Sequence, residues 1–254
     1  MIRTKLGLLG LCAMVLGLMA FSTSAQATVG AKWLILTSGG VLKEGSTLHA
    51  SINLKKDKEV VLVLHSEILK IKTLFLCTEL KAVNAKLLAN GSIGKEEGVV
   101  SGSKVLFSGC TTDLNGSAAP ECTPEDPEDK SGFIVTKPGH ALIVLGTSGE
   151  DLVEIIPDSG KTFATIVLPA ACPIGTSVPV IGTLRLKDCS ERNAKGECVS
   201  KFLTHLKEHL VEEGPGTKLF TISETAEHTA TLLGSALAFL TGEHEGLSWA
   251  GDPA

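Results

Sequence analysis

Three neighbouring runs decide the fold: Gly132-Phe-Ile-Val-Thr136, Ala141-Leu-Ile-Val-Leu145 and Leu152-Val-Glu-Ile-Ile156. Lys137-Pro-Gly-His140 parts the first two, and Gly146-Thr-Ser-Gly-Glu-Asp151 the last two. Each run is rich in β-branched and apolar residues and too short for an ordinary helix, which needs about ten residues or more. Proline and glycine in the gaps break regular structure. The stretch therefore reads as consecutive strands joined by turns.

The same pattern extends outward. Upstream lie Trp33-Leu-Ile-Leu-Thr37, the alternating Leu48-His-Ala-Ser-Ile-Asn-Leu54, Glu59-Val-Val-Leu-Val-Leu64, a run from Ile68 to Cys77, and Lys104-Val-Leu-Phe-Ser108. Leu80 to Ala89 fits helix or strand equally. Downstream come Thr162-Phe-Ala-Thr-Ile-Val-Leu168, Val178 to Leu186, Lys218 to Ile222, His228 to Leu233, Ala236 to Leu240 and Leu247 to Trp249. Turn residues recur about every ten positions, and Asn90-Gly91 and Asn115-Gly116 are hairpin signals. Pro120 to Lys130 mixes proline with acidic residues and reads as a solvated loop rather than a calcium site, because the calcium-loop spacing is absent. The expectation is an all-β chain: one β-sandwich or barrel-like domain of many short antiparallel strands over 28–254.

Residues 1–27 have a different character. Met1-Ile-Arg-Thr-Lys5 is basic, Leu6 to Phe21 is apolar, and Ala25-Gln26-Ala27 is an A-x-A cleavage site. That order is a secretory signal peptide, and the apolar run is shorter than the ~20 residues of a membrane span. Leu11 before Cys12 excludes a lipid anchor on that thiol. The ~227 residues left can bury a substantial core, and they carry no further transmembrane segment. The expected location is extracellular, the protein being either released or held by partners; the sequence names no partner and leaves a cell-envelope component or another protein open.

The net charge is −5 and there is no Lys/Arg cluster, which argues against nucleic acid as a partner. Aromatic residues make up 4% of the chain, with no Tyr and two Trp, so stacking platforms for bases or sugars are scarce.

Six cysteines follow the leader: Cys77, Cys110, Cys122, Cys172, Cys189 and Cys198. An even number in an exported chain implies disulfides, and the absence of C-x-x-C argues against a zinc ribbon. Spacing suggests two local bridges, Cys110–Cys122 and Cys189–Cys198, with Cys77–Cys172 as the long-range pair. Sequence leaves the other connectivities open.

One catalytic string stands out. His205-Leu-Lys-Glu208-His209 spells H-x-x-E-H, the inverted zinc-peptidase motif. On a helix, His205 and His209 would share a face with Glu208 as base. On a strand they would stand ~13 Å apart, too far to share one ion. Few residues follow to supply a third ligand, and the surroundings are β-patterned. The string is therefore read as incidental, with both histidines at a surface or strand edge; catalytic residues, metal ligands and cofactors are expected to be none. A small exported zinc-dependent hydrolase using His205, Glu208 and His209 is the alternative.

Other strings are weaker. Gly160-Lys-Thr162 lacks the upstream glycine of a phosphate loop, because Ile155 stands there, and Pro157-Asp-Ser-Gly160 reads as a turn. Gly146-Thr-Ser-Gly149 is not a nucleophile elbow, although Ser148, His140 and Asp151 could meet in space.

Several short segments carry a resemblance: Gly30-Ala-Lys-Trp33, Leu76-Cys-Thr78, Val105-Leu-Phe-Ser-Gly-Cys-Thr111, Pro157 to Phe163, Ala171-Cys-Pro173, Val180-Ile-Gly-Thr183 and the ending from His228 to Trp249. Together they resemble a group of secreted, cysteine-bridged, β-rich proteins of soil actinobacteria to which no activity is assigned. The resemblance implies export and bridged β structure, and it supplies no catalytic residue. The functional expectation is a secreted structural or binding module at the cell exterior.

Overall fold

The computed structural model describes residues 31–37, 40–41, 49–56, 62–88, 99–126, 130–223 and 226–253. The signal-peptide reading of 1–27 and the Asn90-Gly91 turn lie outside the described residues.

The described chain is nearly all strand. In order these are β1 (Lys32–Thr37), β2 (Gly40–Val41), β3 (His49–Lys56), β4 (Leu62–Ile68), β5 (Ile71–Cys77), β6 (Glu79–Val83) and β7 (Lys86–Leu88). Then come β8 (Val99–Ser108), β9 (Thr111–Leu114), β10 (Ser117–Ala118), β11 (Phe133–Val135), β12 (Gly139–Leu145), β13 (Asp151–Pro157) and β14 (Thr162–Val167). The last six are β15 (Ser177–Asp188), β16 (Glu208–Glu213), β17 (Lys218–Ser223), β18 (Ala226–Leu233), β19 (Ser235–Thr241) and β20 (Ser248–Asp252). The only helical turns among the described residues are short 3-10 pieces at Pro120–Cys122 and Gly242–His244. The ambiguous stretch 80–89 is extended as far as it is described: β6 and β7 with a kink at Asn84, whose φ is 61°.

The described strand pairings are antiparallel, in a sandwich-like arrangement of sheets. One set runs β8, β12, β13, β15, β16, β19, β3 and β7, and β7 pairs back to β8. A second runs β14, β15, β17, β18, β4, β5, β9 and β10. β6, β8 and β11 form a third, and β2, β1 and β20 a small fourth.

Two long strands belong to more than one set. β15 pairs with β14 and β17 through Ser177–Thr183, then with β13 and β16 through Leu184–Asp188. β8 pairs with β7 and β12 through Val99–Ser103, then with β6 and β11 through Lys104–Ser108. Gly182 sits at the crossover of β15 with φ +115°, where a Cβ would stand 1.8 Å from the Lys218 carbonyl oxygen. Only glycine allows that approach.

Alternation places the core. β17 buries every second residue, as a half-buried strand must, and β19 does so from Ala236 onward. β12 differs, because Ala141, Leu142, Ile143 and Val144 are all buried: Ala141 and Ile143 face one cluster, and Leu142 and Val144 another. The larger clusters are two. One gathers Leu62, Phe75, Ile166 and Val180 with four buried cysteines. The other gathers Trp33, Ile143, Leu240 and Trp249. Leu80, Ile155 and Leu186 pack against both.

The bridges are Cys77–Cys110, Cys122–Cys172 and Cys189–Cys198. The local Cys189–Cys198 bridge was expected; the other two expected pairings are exchanged. The cause is strand pairing. β6 runs beside β8, and the Thr78 amide donates to the Ser108 carbonyl, so the ends of β5 and β8 bring the Cα atoms of Cys77 and Cys110 to 4.0 Å. The Glu125 amide donates to Val167 at the end of β14, which draws the loop after Cys122 toward the loop holding Cys172. Sequence spacing carries neither contact.

Candidate functional site

The H-x-x-E-H string spans a turn and the start of a strand. His205 lies in the turn before β16, Glu208 opens β16 exposed, and His209 points inward. His209 is fully buried rather than at a surface or edge. β16 is an interior strand between β15 and β19, so alternate residues such as His209 and Val211 face the core.

His209 is fully occupied there. Its Nε2 donates to the Trp249 carbonyl oxygen at 2.9 Å, and its Nδ1 lies 2.6 Å from Asp188 Oδ2. A peptide carbonyl only accepts, so Nε2 is the donor in that bond, and Asp188 occupies Nδ1. The ring stacks on Phe202 and tilts against Trp249 at 4.2 Å between centroids. Asp188 Oδ1 accepts from the Ser190 amide, the Ser190 hydroxyl and the Ser200 hydroxyl. Burial alone would push the Asp188 carboxyl up, but the bonds from His209 and Ser190 outweigh it and hold the group below its ordinary value. Neither ring nitrogen of His209 presents a lone pair to an ion, and the three residues of the string form no zinc set.

Another donor group is Cys189, Cys198 and Glu212, whose ligand atoms lie within 4.8 Å of one another. The sulfurs are bonded to each other, and metals bind the thiolate, so the bridged pair offers no ligand. Glu212 is also paired with Arg192. The remaining strings resolve as turns and surface contacts. Pro157-Asp-Ser-Gly160 does connect β13 to β14, with Gly160 at φ +66°. His140 Nδ1 meets Asp158 Oδ1 at 2.9 Å, not Asp151. Burial raises the Asp151 carboxyl, opposed by Lys201 and reinforced by Asp252.

The feature that sequence reasoning missed is a set of apolar cavities between the sheets. The largest is about 80 Å³ and is walled by small residues, Ala82, Ala85, Ala141 and Ala238, with Trp33 and Trp249. Two neighbours of about 40 and 50 Å³ share its wall at Phe163. Glu213 borders the third, its carboxyl raised by burial despite the hydrogen bond from the Leu232 amide. Exposed Lys137 lies at the rim of the largest. The signal in the sequence was the scarcity of bulk: few aromatics, no Tyr, and alanine at inward positions of several strands.

Comparison with protein-family models, with curated proteins and with solved structures gives no match.

Proposed function

We propose that the chain is an exported binding module whose sheets enclose a small apolar ligand. The observation that carries this is the group of cavities meeting at Phe163, lined by apolar side chains apart from a few polar groups. Protein interiors pack at crystal density, and voids larger than a water molecule are few. A dry apolar cavity of roughly 150 Å³ takes up benzene; the largest of these three is about 80 Å³, and Phe163 belongs to the wall between it and its two neighbours, so a ligand that moves this side chain gains space from them. The basic, apolar and A-x-A order of 1–27 and the three bridges support an extracellular location. Among the described residues no helix is long and apolar enough to cross a membrane.

Two measurements test the reading. Saturating cyclohexane should raise the thermal midpoint of the purified protein by mass action; an unchanged midpoint with no ligand NMR signature of binding rejects the ligand role. Thiol titration of the exported protein, denatured without reductant, should find almost no free sulfhydryl. Six free thiols would reject the extracellular assignment.

A further inference from the structure

Among the described residues, four buried side-chain polar atoms lack a hydrogen-bond partner, Asp151 Oδ2 being one that lines none of the three cavities. Trp33 Nε1 and Trp249 Nε1 are buried and have no acceptor, and both residues wall the largest cavity. His205 Nδ1 is also buried without a partner, but His205 does not line that cavity. Trp33 is 4% exposed and Trp249 1%, so bulk water does not reach either ring freely. A buried indole N–H normally finds a partner, and leaving one unmade costs about 1–3 kcal/mol. Two in one wall is a concentration that calls for an explanation.

The fold holds these donors in place. β1 and β20 pair with Trp33 opposite Gly251 and Ile35 opposite Trp249, and the ring centroids lie 5.5 Å apart. Gly251 makes the room, since a Cβ there would come 2.8 Å from Trp33 Cζ3. His209 packs against Trp249 with ring centroids 4.2 Å apart, and Phe202 stacks on His209 in turn.

The other polar side chains on this wall, Thr136 and Lys137, can also donate. The Thr136 hydroxyl oxygen accepts from the Val105 amide at 2.8 Å, which leaves its proton to give. Lys137 is a cation. The rest of the described side chains lining the cavity are apolar. A lone water could accept from the indoles but would find few acceptors for its own hydrogens, and a buried water needs two to four partners, typically about three.

We propose that the ligand is an apolar molecule bearing one hydrogen-bond acceptor, a carbonyl oxygen in the simplest case, taken by the indole N–H groups of Trp33 and Trp249. A carbonyl oxygen has two lone pairs and can serve both donors. The proposal rests on the apolar-ligand reading above and adds the polar half of recognition.

The test uses cyclohexanone and cyclohexane on the full-length exported protein. The chain has only two Trp, so its indole N–H proton resonances report on this wall alone. Cyclohexanone should move both resonances downfield, and cyclohexane should not. Trp33→Phe and Trp249→Phe, each titrated with both ligands, should weaken cyclohexanone roughly three- to tenfold while leaving cyclohexane within about twofold. If cyclohexane binds and cyclohexanone leaves the indole resonances unmoved, the acceptor proposal fails and the apolar-ligand reading stands. If neither molecule binds, both fail. Because the resonance shifts are read on the wild type, poor folding of a variant does not shield the proposal.

Discussion

At the scale of single residues, His209 and Asp188 illustrate how a motif misleads. H-x-x-E-H names residue types, and His209 spends both ring nitrogens on its neighbours. Spacing could say that His205 and His209 cannot share an ion on a strand. It could not say that Asp188, twenty-one positions earlier, closes on the ring. Both side chains are fully buried, so removing one partner leaves the polar atoms of the other buried and unmatched. Asp188→Asn should cost about 3–5 kcal/mol in urea unfolding; a cost under about 1 kcal/mol would mean the pair is not ionic. The pH dependence follows from the lowered carboxyl. Above the ordinary value of 3.8 the Asp188 contribution is fully present, and it is lost as pH falls through the still lower folded value. The acid limb of a stability–pH profile should therefore be shallower in Asp188→Asn than in the wild type.

At the scale of elements, the strand runs were legible where turns carry glycine, proline or asparagine. Asn115-Gly116 is a two-residue turn with φ of 51° and 83°, and it joins β9 to β10 as its sequence demands. The β4–β5 hairpin escaped that logic. Its turn is Leu69-Lys70, at φ of 51° and 65° without glycine or asparagine, and Leu69 stands exposed. Tertiary pairing from Leu62↔Cys77 to Ile68↔Ile71 overrides the local cost there. Gly182 shows the same lesson inverted: its role depends on Lys218, which no local pattern links to it. Gly182→Ala combines a strained φ with an overlap against fixed backbone, so it should cost at least ~3 kcal/mol or prevent folding. Gly149→Ala also has a positive φ but nothing within 4 Å, so strain alone applies and about 1–2 kcal/mol is expected. Equal urea midpoints for the two variants would refute the crossover role of Gly182.

At the scale of the whole molecule, the fold class could be read from the chain, but the pairing of distant parts could not. Six cysteines announced bridges; which ones they are depends on β6 lying beside β8 and on the loop of Cys122 reaching the end of β14. The consequences differ with span. Cys122–Cys172 closes a separation of 50 residues and Cys189–Cys198 one of 9. In the chain-entropy view, removing them as paired alanines should cost about 4 and about 2.5 kcal/mol respectively. Calorimetry should rank the two in that order, and the reverse ranking would place the stabilisation elsewhere. The pairing of β1 with β20 carries a kinetic implication. Lys32 meets Asp252 across nearly the full described sequence, and β3 likewise waits for β19. A topology of such high contact order collapses late, on a millisecond-to-second scale, because loops must close before their contacts reward them. The Trp33–Trp249 wall is therefore among the last parts to assemble, so recovery of the indole signal on refolding should trail the appearance of sheet.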